Sequence, residues 1–486
     1  MKRRGWISVV LSVFLAGCRA VGPDYQTPET NVPQTPLPQM NAGTVISPDE
    51  VSAWWMVFND PALTNLIVRT LQGNHTLREG RARVREARAR LGISRSGLLP
   101  EVDVAGSYQR FRNSDYVVAG SDGDFYHAGF DASWELDIFG RRRREIEVSQ
   151  AAFEAEVASL EQVWVSLAAE TARHYVNLQT VRQQLAVASS NLVIQADTWD
   201  LVRSRAKAGL SDALAVEQAT YNLEQTRAKL PQLHSQEEAS LHALAVLTGV
   251  MPGDLNKALC KIAPIPSVSP RMLAGIPADL LRRRPDVLVA ERQLAAQTAR
   301  IGVAQADQYP TFLLSGSVGL ESLDESTFLE SGSRFFSLAP SVVWPIFRAG
   351  SIRANIEVQN ALQEQALAVY EEVVLEAVRE LRDALADYGH EYVRCEALRK
   401  AAKAAREAVS LSQNQYKNGL SDFNNVLDAQ RSLMMFEELV VISEGAITDH
   451  LIRVYKAMGG GWSALSASVE EKKEEKVAPL LLDMAN

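Results

Sequence analysis

Few residues in this chain have types and spacings that could do chemistry. Leu15-Ala16-Gly17-Cys18 fits the bacterial lipobox, in which a peptidase cuts before the cysteine and its sulfur then carries lipid. It follows a basic opening, Lys2-Arg3-Arg4, and an apolar run from Gly5 to Leu15. That run is too short to cross a hydrocarbon core of ~30 Å as a helix. It reads as a signal peptide over residues 1–17, leaving Cys18 as the lipidation site, a carrier of palmitate. Ser204-Arg205-Ala206-Lys207 fits S-x-x-K, but it sits at an expected helical hairpin tip and has no K-T-G partner. The seven histidines are scattered, without H-E-x-x-H or metal-ligand spacing, so no metal site is expected. Met434-Met435 could handle a soft metal, yet beside Leu433 and Phe436 it reads as helix core. There is no glycine-rich phosphate loop. The expectation is a chain that is no enzyme, with no cofactor beyond covalent lipid on Cys18.

Composition narrows the classes further. The 486 residues allow two or more domains. A net charge of −9 argues against non-specific nucleic-acid binding, which needs clustered positive charge. The run Arg141–Arg144 is the apparent exception. After Cys18 only Cys260 and Cys395 remain, so no disulfide framework is expected. Cys395 continues an apolar stripe, Val374, Val378, Leu381, Leu385, Tyr388, Tyr392, and reads as a buried thiol. Beyond the signal, no apolar run is long enough for a transmembrane helix. Any membrane crossing must be made by strands.

The elements that would position such residues repeat. Residues 90–107, RLGISRSGLLPEVDVAGS, resemble 300–317, RIGVAQADQYPTFLLSGS, at an offset of 210. The same offset relates REIEV (144–148) to ANIEV (354–358), KAGLSD (207–212) to KNGLSD (417–422), and Gly249 to Gly459. One offset held across glycines, a proline and a turn indicates duplication. Each unit reads as helix, two strands, two long helices. Arg141 to Ala208 lacks proline and carries a stripe, Val157, Leu160, Trp164, Leu167, Thr171, Tyr175, Leu178. These 68 residues would span roughly 100 Å at about 1.5 Å per residue, which implies coiled-coil-like packing. Gly209 and Gly419 mark the hairpin-tip turns, and Pro231 should kink or break the first return helix.

The strands show alternation. Tyr126, Ala128, Phe130, Ala132, Trp134 and Leu136 oppose His127, Gly129, Asp131, Ser133 and Glu135. Val102, Val104 and Tyr108 in one strand, Phe312, Leu314, Val318 and Leu320 in another, and Phe336, Leu338, Val342 and Trp344 in a last behave alike. Segments of about ten residues, apolar outside and polar inside, suit a membrane β-barrel, with Trp134 and Trp344 in its interfacial girdle. Four strands cannot close a barrel, so strands must be pooled among subunits. Strand arithmetic alone does not choose between two chains and three.

These segments resemble the TolC superfamily of outer-membrane efflux proteins, in its lipoprotein (NodT-like) branch serving resistance-nodulation-division pumps. The resemblance runs over about residues 18 to 462. It is carried by CRAVGPDYQTP (18–28), WWMVFNDPALTNLI (54–67), LLRRRPDVLVAERQLAAQTARIGVAQADQYP (280–310) and YKNGLSDFNNVLDAQRSL (416–433). It implies a mixed α+β membrane protein, a homotrimer with a 12-strand outer-membrane barrel above a periplasmic α-helical tunnel. It implies a periplasmic adaptor (membrane fusion) protein and an inner-membrane pump as partners, contact with outer-membrane lipid, and no nucleic acid. It also implies a periplasmic gate at the helical tips. A ring of Asp428 side chains would close it, Asp422 is the next candidate, and Tyr416 and Lys417 would hold the tips together. Asn425 and Ser421 depart from acidic and arginine residues found in some relatives, which weakens a second ring and one polar link. Asp428 could instead be a helix-surface carboxylate facing water or paired with Arg431. Arg141–Arg144 should lie at the membrane boundary, snorkelling or touching lipid headgroups. Arg282–Arg284 with Asp286 should serve helix entry.

The expected domains are the signal (1–17) and a lipidated Pro-rich segment (18–59). A first repeat (60–250) follows, with strands at about 101–113 and 124–137, then a linker (251–269). The second repeat (270–460) has strands at about 311–322 and 333–345, and a charged tail (461–486) ends the chain. The function expected is a passive exit duct for small molecules in a tripartite efflux pump. The alternatives are a duct for secreted polypeptides and a non-conducting structural envelope lipoprotein, for which paired barrel hairpins would be superfluous.

Overall fold

A computed structural model describes residues 20–28, 53–114, 116, 122–260, 262–268 and 283–460. Cys18, the signal segment and the tail from residue 461 lie outside the described residues. So do Arg282 and most of the Pro-rich segment. In chain order the elements are α1 (Pro61–Gly73), α2 (His75–Ser96), β1 (Glu101–Arg112), β2 (Asp122–Leu136), α3 (Arg141–Lys207) and α4 (Ala213–Thr248). They continue with α5 (Pro285–Ala306), β3 (Thr311–Ser322), β4 (Arg334–Val343), α6 (Ser351–Lys417) and α7 (Phe423–Ala457). The offset of 210 relates α2 to α5, β1 to β3 and α3 to α6 at both ends of each element. It also governs single hydrogen bonds. Trp134 donates to the Leu98 carbonyl at 2.9 Å, and Trp344 donates to that of Gln308 at 3.1 Å.

The chain forms two compact units. The first contains residues 81–158, 288–373 and the N-terminal segment. Its four strands form one antiparallel sheet in the order β1-β2-β3-β4, so β1 and β4 each keep one unpaired edge. Gly129 faces Gly319 at the central pairing, where a Cβ on either would fall within 2.7 Å of the opposite backbone. The alternating apolar residues lie open: Val104, Phe130, Val318 and Phe336 are all more than half exposed. Among the described residues, no helix is long and apolar enough to cross a membrane.

The start of α3 shows which internal groups the arginine run serves. The Asp137 carboxylate accepts the backbone N–H groups of Arg142 and Arg143, capping the helix as an N-terminal acid should. Arg142 pairs with Glu135 at 2.6 Å and Arg143 with Asp137 at 3.1 Å. Arg144 is buried and holds the N-terminal segment. It donates to the carbonyls of Val21 and Gly22 at 3.0 and 3.1 Å, and to Asp24 at 2.8 Å. These guanidiniums serve internal carboxylates, because capping and segment docking need charge where the run sits. The docked segment, residues 20–28, fits tightly. Gly22 is left-handed with φ +101°, and a Cβ there would lie 2.4 Å from Gly302 Cα. Tyr25 donates to Glu291 at 3.3 Å, and burial, then the nearby carboxylate, pushes its phenol up to about 12.

The second unit holds the described residues of 159–268, 283–287 and 374–460, with the segment around α1. Asp60 caps α1, accepting from Ala62 and Leu63, with Pro61 at the first helical position. Tyr175 donates to the other oxygen of Asp60 at 2.8 Å. Trp54 is fully buried and stacks on Tyr455 at 5.6 Å. Along α3, Leu167, Thr171, Tyr175 and Leu178 are buried, and in α6 Leu381, Tyr388 and Cys395 are too. Burial pushes the Cys395 thiol up. Arg284 is buried between Asp286, Glu380 and the Ala457 carbonyl. Pro231 does not break its helix, since α4 is continuous from Ala213 to Thr248. One missing N–H is tolerated within a helix whose neighbouring turns are packed. Met434 is buried, but Met435 is half exposed, so the pair is only half core.

Candidate functional site

The site expected from sequence lies at the two hairpin tips, within the second unit. Gly209 ends the α3–α4 turn and Gly419 the α6–α7 turn, with φ +75° and +73°. Each turn closes by the same bond, Leu210 N–H to the Arg205 carbonyl and Leu420 N–H to that of Gln415, both at 2.8 Å. A left-handed residue closing a helix by a six-residue bond is where glycine costs least.

Between the turns sits an apolar cluster of Val202, Ala215, Ala219, Tyr416, Phe423, Val426 and Leu427. Tyr416 is buried at its centre, 5.5 Å from the Phe423 ring. Arg205, in the last turn of α3, lies 4.8 Å from the centre of the Tyr416 ring. It also donates to the carbonyls of Tyr416 and Lys417 at 3.1 and 3.2 Å. One cation thus stacks on an aromatic face and satisfies carbonyls at the end of another helix. The Tyr416 hydroxyl lies 3.4 Å from that of Ser211. Lys417 contributes its backbone to this contact, while its side chain is exposed.

The acidic candidates stand outside the cluster. Asp422 is the exposed N-cap residue of α7, and its side chain makes no capping bond, unlike Asp212 of α4, which accepts from Ala215 at 2.9 Å. Asp428, six residues further along, is exposed and forms no ion pair among the described residues. The alternative pairing of Asp428 with Arg431 is absent. Arg431 instead hydrogen-bonds the Tyr221 hydroxyl of α4 and lies 5.1 Å from its ring centre. An aromatic face with a hydroxyl at its rim competes well with an exposed carboxylate three residues away, which is worth only a few tenths of a kcal/mol. Asn425 donates to Ser421 at 2.8 Å, so the two departures from the family pattern contact each other.

Sequence reasoning missed Arg205, Tyr221 and Arg431 as tip contacts. A basic residue in the last helical turn before a glycine turn is the signal for Arg205. Nothing local marks Tyr221. Among the described residues there is no cluster of His, Cys, Asp or Glu able to hold a metal ion.

The comparisons with known proteins fit this geometry. The family described as outer membrane efflux protein matches twice, over residues 66–250 and 276–460, the same 210-residue offset again. The chain belongs to the outer membrane efflux protein family. A Pseudomonas and a Rhizobium relative illustrate its range. The toluene efflux pump outer membrane protein TtgF of Pseudomonas putida is 31% identical over 478 residues, covering 95% of this chain and 98% of the relative. Nodulation protein T of Rhizobium leguminosarum bv. trifolii is 30% identical over 430 residues, covering 87% and 90%. The solved outer-membrane channel OprN superposes with a TM-score of 0.84 at 35% identity, over 91% of this chain and 99% of its own. As a member of this family the chain is an outer-membrane efflux channel, of mixed α+β fold.

Proposed function

We propose that this outer membrane efflux protein works as a homotrimeric passive exit duct for small molecules, lipidated at Cys18. Its partners are a periplasmic adaptor and an inner-membrane pump of the resistance-nodulation-division class, which supplies the energy. The observation that carries the reading is the open sheet of four strands with two unpaired edges and an exposed apolar face. Lipid satisfies no backbone edge, so copies must share one barrel, and three copies of four strands give twelve. The toluene-pump relative supports small organic cargo. The exposed Asp428 supports a periplasmic gate in which three carboxylates converge, with Asp422 beside it and Tyr416 and Lys417 in the hairpin contact. Purified protein in mild detergent should be a trimer by light scattering and should conduct ions in planar bilayers. A folded monomer that conducts would defeat the shared barrel, and a trimer that does not conduct would defeat the duct.

A further inference from the structure

The order of the strands has a counterpart in the helices of the same unit. α2 contacts α3, where the Ser94 and Ser149 hydroxyls lie 2.6 Å apart and Arg88 lies 5.5 Å from the Phe153 ring centre. α3 contacts α5 through Arg292 and Glu154 at 3.1 Å, with Ala151 packed on Ala295 and Ala296. α5 contacts α6, Gln297 donating to Gln359 at 2.9 Å. The sequence α2–α3–α5–α6 leaves α2 and α6 outermost, as the sheet leaves β1 and β4.

The outermost helices carry opposite charge. Residues 81–96 of α2 hold Arg81, Arg83, Arg85, Arg88, Arg90 and Arg95 against Glu86 alone, all exposed. Residues 351–373 of α6 hold Glu357, Glu364, Glu371 and Glu372 against Arg353, again all exposed. The second stretch also exposes Val358 and Val369.

The duplication says how such faces can meet. The α3–α5 contact joins the first repeat to the second. Moved by 210 residues, it joins α6 of one copy to α2 of the next. Ala151 and Glu154 become Ala361 and Glu364, and Arg292, Ala295 and Ala296 become Ala82, Arg85 and Glu86. Ala151, Ala295 and Ala296 are buried, whereas Ala361, Arg85 and Glu86 are exposed, as positions awaiting a partner should be. We propose that α6 and α2 form a head-to-tail seam between copies of this chain, in which Glu364 of one copy lies over Ala82 of the next and reaches Arg85 three residues along, and Glu357 meets the same arginine-rich face. The proposal rests on the trimer reading above and adds its register. Opposite charges aligned along the seam steer like copies together and reject a neighbour in the wrong register. A head-to-tail contact whose rotation closes gives a ring with no free face.

The test is charge reversal in the full-length protein. Arg85→Glu and Glu364→Arg should each lower the yield of trimer several-fold, most at low salt, where exposed charges are least screened. The doubly reversed chain should recover most of that yield, since every seam is then inverted and complementary again. Separately, Arg85→Cys with Ala361→Cys, in a Cys260→Ser background, should give covalent dimers and trimers with a short bismaleimide. Wild-type trimers indifferent to all three charge changes, or cross-links found only within one chain, would overturn the seam and leave the trimer standing. A wild-type chain that never assembles would overturn the trimer reading itself.

Discussion

Arg205 makes three contacts at once around Tyr416, and the exposed acid Asp428 forms no ion pair among the described residues. Arg205 is thus tied into the tip, while on the proposed gate reading Asp428 is the group left to meet a passing ion. Three copies of Asp428 around a threefold axis would repel and attract cations. Asp428→Ala in planar bilayers is therefore expected to weaken cation preference and abolish block by a trivalent cation added from the periplasmic side. The melting temperature of the trimer should move little, because no intramolecular partner is lost. Unaltered selectivity would shift the constriction to Asp422. A second acid makes a pH prediction. Glu161, half-buried in α3, is held above the usual carboxylate range by burial. A carboxyl whose folded pKa is raised favours the fold below its unfolded value, near 4.5, and loses that stability as pH rises through the folded value. Glu161→Gln should thus raise the melting temperature at pH 8, and the gain should vanish near pH 4.5.

At the scale of elements, the N-terminal segment is held by backbone closeness as much as by charge. A Cβ at Gly302 would fall 2.9 Å from the Arg144 side chain, which grips Val21, Gly22 and Asp24. Gly302→Ala should free residues 20–28, and the Val21 amide, bonded to the Phe139 carbonyl at 3.0 Å, reports it. Hydrogen exchange at that amide should accelerate at least tenfold while the sheet stays protected; equal protection in the variant would show that the segment tolerates the methyl. The long helices and four strands were legible because period and offset are local signals that packing then obeys. Tip chemistry was legible only in part. Tyr416 was found through its motif, but Arg205 and Tyr221 act across more than 200 residues of chain, and no spacing rule reaches that far. The internal partners of the arginine run were not legible, because Glu135 lies in a strand and Asp24 is 120 residues away from Arg144.

At the scale of the whole molecule, the proposal for Cys18 is checked by metabolic labelling. Wild-type protein should incorporate radioactive palmitate and fractionate with the outer membrane, since Arg19 lacks the aspartate that commonly retains lipoproteins at the inner membrane. Cys18→Ser should lose the label yet insert through its strands, and an unlabelled wild type would refute the anchor. The docked segment gives that anchor a mechanical character. Only Arg19 separates Cys18 from Ala20, and Ala20 lies against Gly140, where a Cβ would approach it to 2.5 Å. Two residues of extended chain reach at most ~7 Å. Acyl chains on Cys18 would thus be a short rivet, not a leash. Any force between that rivet and the fold would pass through residues 20–28 into Arg144, in the first turn of α3.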